Sequence, residues 1–149
     1  MSVDLALLDT NVLIYALDPR CQYYAASRAL LDKAQEEGAG LCLLPQVLVE
    51  FYAIVTDARR VPKPRPAAEA IAVINQFVAL PGVTLLPVPP DILERLADLL
   101  ARHPVIGPGV FDVQIVAALL ANDVRRLYTF DRAVFERFTE IEVLTPQGS

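Results

Sequence analysis

The sequence predicts an α/β fold in which a mainly parallel central sheet is covered by helices on both faces. Three observations carry that prediction. Leu5-Ala6-Leu7-Leu8 is uninterrupted apolar sequence, as suits a strand buried on both faces. Runs of this kind alternate with stretches of helical periodicity, which implies right-handed βαβ units. The first run stops at an acid, Asp9, and open α/β sheets place their ligand crevice at the carboxyl ends of their strands.

The elements follow in order. The stretch from Val3 to Leu8 opens the chain as a strand, and Thr10 or Asn11 is expected to cap a helix carrying Val12, Leu13, Ile14, Tyr15 and Leu17. Asp18-Pro19 breaks it. From Tyr23 to Glu37, Tyr24, Ser27, Leu30, Leu31 and Ala34 recur at helical spacing before Gly38. Leu41-Cys42-Leu43-Leu44 reads as a short buried strand. Pro45 suits the first turn of a helix reaching about Asp57, with Val47, Leu48, Phe51, Ile54 and Val55 in one stripe and Glu50 early, beside it. Arg59 to Pro66 is an exposed, proline-rich loop and the only concentrated basic stretch. Helical pattern resumes from Pro66 to Leu80, and Val83 to Val88 is a further strand. A helix runs from Pro90-Asp91 to about Arg102, and a Pro/Gly loop extends to Gly109. The next helix opens near Phe111-Asp112. Leu127 to Phe130 is a strand ending at Asp131, Arg132 to Phe138 a short helix, and Ile141 to Leu144 the last strand.

A chain of 149 residues suits one domain over residues 1–149 with a sizeable core. Its longest apolar runs, Val12 to Leu17 and Ile115 to Ala121, fall far short of the ~20 residues of a membrane-spanning helix. No basic segment with an apolar core and cleavage site opens the chain, so no signal peptide is expected. Cys21 and Cys42 read as reduced packing thiols of a cytoplasmic protein, with a disulfide between them left open. The net charge of −5 weighs mildly against a protein that lives on nucleic acid. It fits a carboxylate cluster that holds cations, and a surface covered by a basic partner.

Several chemistries are excluded. His103 is the only histidine, so a paired-histidine ribonuclease mechanism is out of reach, and a surface role is expected for it. No phosphate-cradling glycine loop, no G-x-S-x-G and no Cys/His zinc spacing is present. What remains is a set of acids at the edges of apolar elements. Asp9 and Asp131 end strands, Asp112 opens a helix after a Gly/Pro loop, and Glu50 lies in another helix. Singly they read as a turn residue, an N-cap, a favourable first-turn charge and a solvated side chain. Together they share the carboxyl edge of a parallel sheet. Four carboxylates within ~5 Å would repel by about 3 kcal/mol per pair at an effective dielectric of ~20. Such a cluster persists only with cations or raised pKa values. All-oxygen donors favour Mg²⁺ or Mn²⁺, whose bound water can attack a phosphodiester. Whether the acids converge depends on the fold. Arg59, Arg60, Lys63 and Arg65 either hold an RNA backbone or form a solvated loop.

Four segments bear a family resemblance. Leu8-Asp9-Thr10-Asn11-Val12-Leu13-Ile14-Tyr15 resembles the opening motif of PIN-domain proteins, most closely the VapC toxins of bacterial toxin–antitoxin pairs. The segments Pro45 to Tyr52, Phe111 to Ala118 and Leu127 to Phe135 resemble the second, third and fourth motifs, the last holding Thr129-Phe130-Asp131. They stand in family order across essentially the whole chain. The resemblance implies a parallel three-layer α/β/α sandwich and a Mg²⁺- or Mn²⁺-dependent endoribonuclease. It carries over Asp9, Glu50, Asp112 and Asp131 as the acidic metal site, with Thr10, Asn11 and Thr129 as supporting polar residues. It also implies a homodimer and a cognate antitoxin that blocks the site. Asn122-Asp123 stands where many relatives have glycine after the third-motif helix, and Asn tolerates the left-handed turn required there. Two rivals stay in view. A phosphatase of the haloacid-dehalogenase type needs a second Asp two residues after the first, where this chain has Asn11. A PIN-like RNA- or protein-binding module without turnover is the other.

Overall fold

The computed structural model describes residues 4–147; Val3 lies outside them. Five short strands form one all-parallel sheet: β1 (Ala6–Leu8), β2 (Leu41–Leu43), β3 (Val83–Leu85), β4 (Arg126–Tyr128) and β5 (Glu142–Leu144), in the order β3-β2-β1-β4-β5. Leu7 of the central strand stands opposite Cys42 on one side and Leu127 on the other. All three β1 residues are buried, which is why this strand carries no polar alternation.

Seven helices connect the strands: α1 (Thr10–Tyr15), α2 (Tyr24–Lys33), α3 (Pro45–Val55), α4 (Ala67–Val78), α5 (Ile92–Arg102), α6 (Val110–Ala121) and α7 (Arg132–Phe135). Right-handed crossovers decide where they go. The chain steps outward from β1 through β2 to β3 by way of α1 to α4. It then returns in the opposite direction to β4 and β5 through α5, α6 and α7, so this second group covers the other face. The packing agrees: α1 lies against α2 and α3, α3 against α4, and α5 against α6. The direction of travel reverses between β1 and β4, and such a switch point opens a crevice at the strands' carboxyl ends. Asp9 and Asp131 follow these two strands.

Several boundaries differ from the sequence reading. α1 starts at Thr10 and its cap is Asp9, whose side chain accepts from the Thr10 N–H at 2.8 Å. Neither Thr10 nor Asn11 serves as the cap, because the carboxylate ending β1 already meets the first free amide. α3 begins at Pro45 itself, so Glu50 stands in mid-helix rather than near its start. Gly107–Gly109 forms a 3-10 turn that runs directly into α6, extending that helix back to Val110. After α6 the left-handed residue is Asp123, with φ 57°, whereas Asn122 keeps φ −103°. Asn122 instead bonds the Pro87 carbonyl at 3.0 Å.

Cys21 and Cys42 are free thiols, so no disulfide joins them. Cys42 is fully buried in β2, and burial pushes its thiol up to about 12. His103, expected at the surface, is half-buried: its Nε2 lies 3.0 Å from Glu140 Oε1, and its ring meets Phe138 edge-on. Among the described residues no single helix is long and apolar enough to cross a membrane.

Candidate active site

The site is built outward from Asp9, which is 7 % exposed. Its Oδ1 is the cap acceptor. Its Oδ2 accepts from Thr129 Oγ1 at 2.8 Å and from Asn11 Nδ2 at 3.4 Å. Thr129 is fully buried just beyond β4. Its hydroxyl also accepts from the Asp131 N–H at 3.0 Å and from Asn11 Nδ2 at 3.1 Å. That is one donated and two accepted bonds, the full capacity of a hydroxyl. Asn11 Oδ1 in turn accepts from the Phe130 N–H at 3.3 Å. The ends of β1 and β4 are thus tied together, and this network fixes the Asp9 carboxylate. On the other side, Thr10 Oγ1 donates to Glu50 Oε2 at 3.1 Å, which joins α1 to α3.

Asp9, Glu50, Asp112 and Asp131 all line one open cleft of about 550 Å³, together with Thr10, Asn11 and Arg60. The cleft thus brings together every acid singled out from the sequence. Burial pushes the Asp9 carboxyl up to about 6. The bonds from Thr129 and Thr10 work against that rise, and the charges of Glu50 and Asp112 add to it. Asp112 is also raised, first by burial and next by Glu50, with Arg137 pulling the other way and Asp131 adding a little. The side chain of Asp131 makes no capping bond, so its carboxylate is not used to start α7.

Ion pairs among the described residues engage other acids, but none engages these four. Neither do any three of the described His, Cys, Asp or Glu side chains stand close enough together to hold a metal ion. The acids share a wall without converging. In donor chemistry they fit a hard divalent cation: all are oxygen donors, and the buried Asp9 charge has no cationic side chain beside it.

The basic loop is divided. Arg60 lines the acidic cleft. Arg59 is paired with Asp57 at 3.2 Å and Arg65 with Glu69 at 2.6 Å. Lys63 and Arg65 border a neighbouring cavity that shares Ile14 and Val61 with the cleft. Arg59, Arg60, Lys63 and Arg65 therefore do not form one basic strip.

The sequence reading gave no site role to the aromatic residues of the cleft wall: Tyr15, Tyr23, Phe130 and Phe135. Phe130 carried a signal, lying between Thr129 and Asp131 in the fourth motif. Tyr23 carried none, since only the tertiary fold brings it against Phe130.

Replacing Thr129 by Val removes the donor to Asp9, leaves the Asp131 amide without its acceptor and leaves Asn11 Nδ2 only the longer, 3.4 Å bond to Asp9. A bond to a charged group contributes more than an ordinary one, so Thr129→Val is expected to destabilise the protein by about 2 kcal/mol at neutral pH. Urea unfolding tests this, and an unchanged midpoint would show that the network does not hold the strand ends together.

The comparisons with known proteins agree with this fold. The PIN-domain family profile matches residues 6–141. Ribonuclease VapC37 of Mycobacterium tuberculosis is 31 % identical over 137 residues, covering 89 % of this chain and 90 % of that protein. Ribonuclease VapC33 of the same species is 27 % identical over 138 residues, covering 93 % and 95 %. Among solved structures, VapBC2 from Rickettsia felis bound to a promoter DNA fragment superposes with a TM-score of 0.65 at 17 % identity, covering 96 % of this chain and 99 % of that one. The likeness at that identity is one of fold. With the profile spanning nearly all of the sheet and its helices, this chain belongs to the PIN-domain family and is a distant homologue of the VapC ribonucleases.

Proposed function

We propose that the protein is a Mg²⁺- or Mn²⁺-dependent endoribonuclease, built as a single domain, that acts in the cytoplasm as the toxin of a toxin–antitoxin pair. The observation that carries this reading is the cleft itself. A buried carboxylate faces three further acids there, and no basic side chain among the described residues pairs with any of them. Such an arrangement is costly unless a cation joins it. The ribonuclease names of the relatives support the substrate class. The VapBC complexes among the structural neighbours support an antitoxin partner.

In this reading Asp9 and Asp112 hold the ion, while Glu50 and Asp131 bind a second ion or orient waters. When bound, a divalent ion supplies Lewis-acid stabilisation and a water acidic enough to attack at neutral pH. Thr129, Asn11 and the Thr10 amide hold Asp9 in one orientation, and Thr10 holds Glu50. Arg60, which lines the cleft, would neutralise a phosphate oxygen in this reading. The only histidine is bonded to Glu140, so no histidine pair drives attack by the ribose 2′-hydroxyl. The products are expected to carry 5′-phosphate and 3′-hydroxyl ends. We further propose a homodimer, as the family resemblance implies.

The experiment is digestion of total RNA by protein freed of any partner, with Mg²⁺, Mn²⁺ or EDTA, followed by mapping of the ends. Discrete, metal-dependent cuts with 5′-phosphates are expected. Cyclic 2′,3′-phosphate ends would overturn the mechanism. RNA binding with neither metal binding nor cleavage would favour the second reading, a binding module, which the lack of convergence among the acids makes worth testing.

A further inference from the structure

Four of the chain's eleven aromatic residues line the acidic cleft, and three of them form a pile. Tyr23 stacks on Phe130 with ring centroids 4.4 Å apart and planes 25° apart. Tyr15 leans on both, at 5.4 Å from Tyr23 and 5.5 Å from Phe130. Tyr23 is nevertheless 39 % exposed. Core packing does not account for an aromatic residue this exposed, because aromatic side chains stabilise a fold chiefly by the area they bury. Position supplies a different account. Phe130 lies directly between Thr129, which bonds Asp9, and Asp131. The pile therefore stands immediately beside the acids and within the same cleft.

We propose that Tyr23, backed by Phe130 and Tyr15, stacks an unpaired nucleobase of the RNA next to the phosphate that is cut. The proposal rests on the nuclease reading for the ligand's identity and goes beyond it in naming the side chains that hold a base beside the cut. A base inside a duplex already has its faces covered by neighbours, whereas bases in loops, bulges and single strands can be splayed onto aromatic rings. The platform thus selects single-stranded RNA. Every base has a π-face, so it selects with little regard to base identity. It also answers the charge problem. With a net charge of −5 and Arg60 the one residue of the basic loop at the cleft, phosphate contacts supply little affinity. Stacking takes a larger share, and binding should depend only weakly on salt.

The test is binding of a fluorescein-labelled, mixed-sequence RNA octamer to the full chain, in EDTA and again with Ca²⁺, with cleavage scored separately. Tyr23→Leu is expected to weaken binding ~10-fold, and Tyr23→Phe, which keeps the ring, by less than ~2-fold. Octamers carrying one abasic nucleotide at successive positions supply the decisive comparison. At one position the missing base should cost the wild type about as much as Tyr23→Leu does, and cost Tyr23→Leu almost nothing further. The same octamer annealed to its complement should bind poorly. Equal affinity of wild type and Tyr23→Leu, no binding by the wild type, or duplex bound as well as single strand would each overturn the platform. Tetra-arginine bound more tightly than the octamer, with the same dependence on Tyr23, would assign the pile to a protein partner and overturn it as well. Because cleavage is read independently, a failed platform leaves the nuclease reading standing. Conversely, a confirmed platform on a protein that never cuts RNA would sink only the nuclease reading.

Discussion

Asp9→Asn is expected to abolish metal-dependent RNA cleavage while making the metal-free protein more stable. The two effects have one cause. Asp9 is buried, and its carboxyl is pushed from the ordinary 3.8 up to about 6. Below pH 4 both the folded and unfolded chains carry the proton, and the site costs nothing. Between these two values the folded state keeps a proton that the unfolded state has lost, so stability falls as pH rises. Above pH 6 both states are ionised and the full penalty stands, about 3 kcal/mol for a shift of this size. Asparagine carries no charge and still accepts from the Thr10 amide as a good N-cap. In EDTA, Asp9→Asn should therefore unfold at higher urea than wild type at pH 7.5, with the gap closing toward pH 4. Adding Mg²⁺ should stabilise wild type through preferential binding to the folded state and leave the variant unmoved. Cleavage should fall on the order of 10³-fold, since the lost anion is the most buried proposed ligand. Equal stability of the two proteins in EDTA at pH 7.5 would show that the buried charge is compensated by a group other than a cation.

Phe51→Ala is expected to cost about 3–5 kcal/mol of stability, the range for emptying a large aromatic site in a packed core. Phe51 is fully buried in α3 and meets Phe77 of α4 edge-on at 5.3 Å. That pair ties α3 to α4, and α3 also packs on α1. The consequences should extend to the site, because Glu50 precedes Phe51 and bonds Thr10 across the α1–α3 contact. Guanidinium unfolding reads the stability. A loss below about 1 kcal/mol would mean that α4 collapses into the space, which the surface position of that helix makes the one way out.

The fold was legible because its signals are local. Each strand falls on a short, mostly apolar run; β2, β4 and β5 lie within two residues of where the hydrophobic pattern put them, whereas β1 starts only at Ala6 and β3 ends at Leu85, three residues short of Val88. Helix ends were less legible. α1 and α3 start earlier than the pattern suggests because Asp9 and Pro45 initiate them, and neither residue contributes to an apolar stripe. Asp123, not Asn122, takes the left-handed turn, since the Asn122 amide is engaged with carbonyls of Pro87 and Ala118.

By itself the sequence determined the alternation of strands and helices, and the placement of Asp9, Asp112 and Asp131 beside strand and helix ends. Periodicity and spacing carry those features, which survive without coordinates. The sequence also held four motifs, in order, on which the resemblance to the family rests. Only the tertiary structure decided which side chains meet. Laying β1 beside β4 brings Thr129 onto Asp9 across 120 positions of sequence. The tertiary fold also stacks Tyr23 on Phe130 and leaves Arg60, of the four basic loop residues, at the cleft. It also decided that the four acids share one wall without closing on one point. Spacing along the chain says nothing of that, because convergence depends on strand order, crossover hand and the electrostatic cost of bringing like charges together in a partly buried cleft.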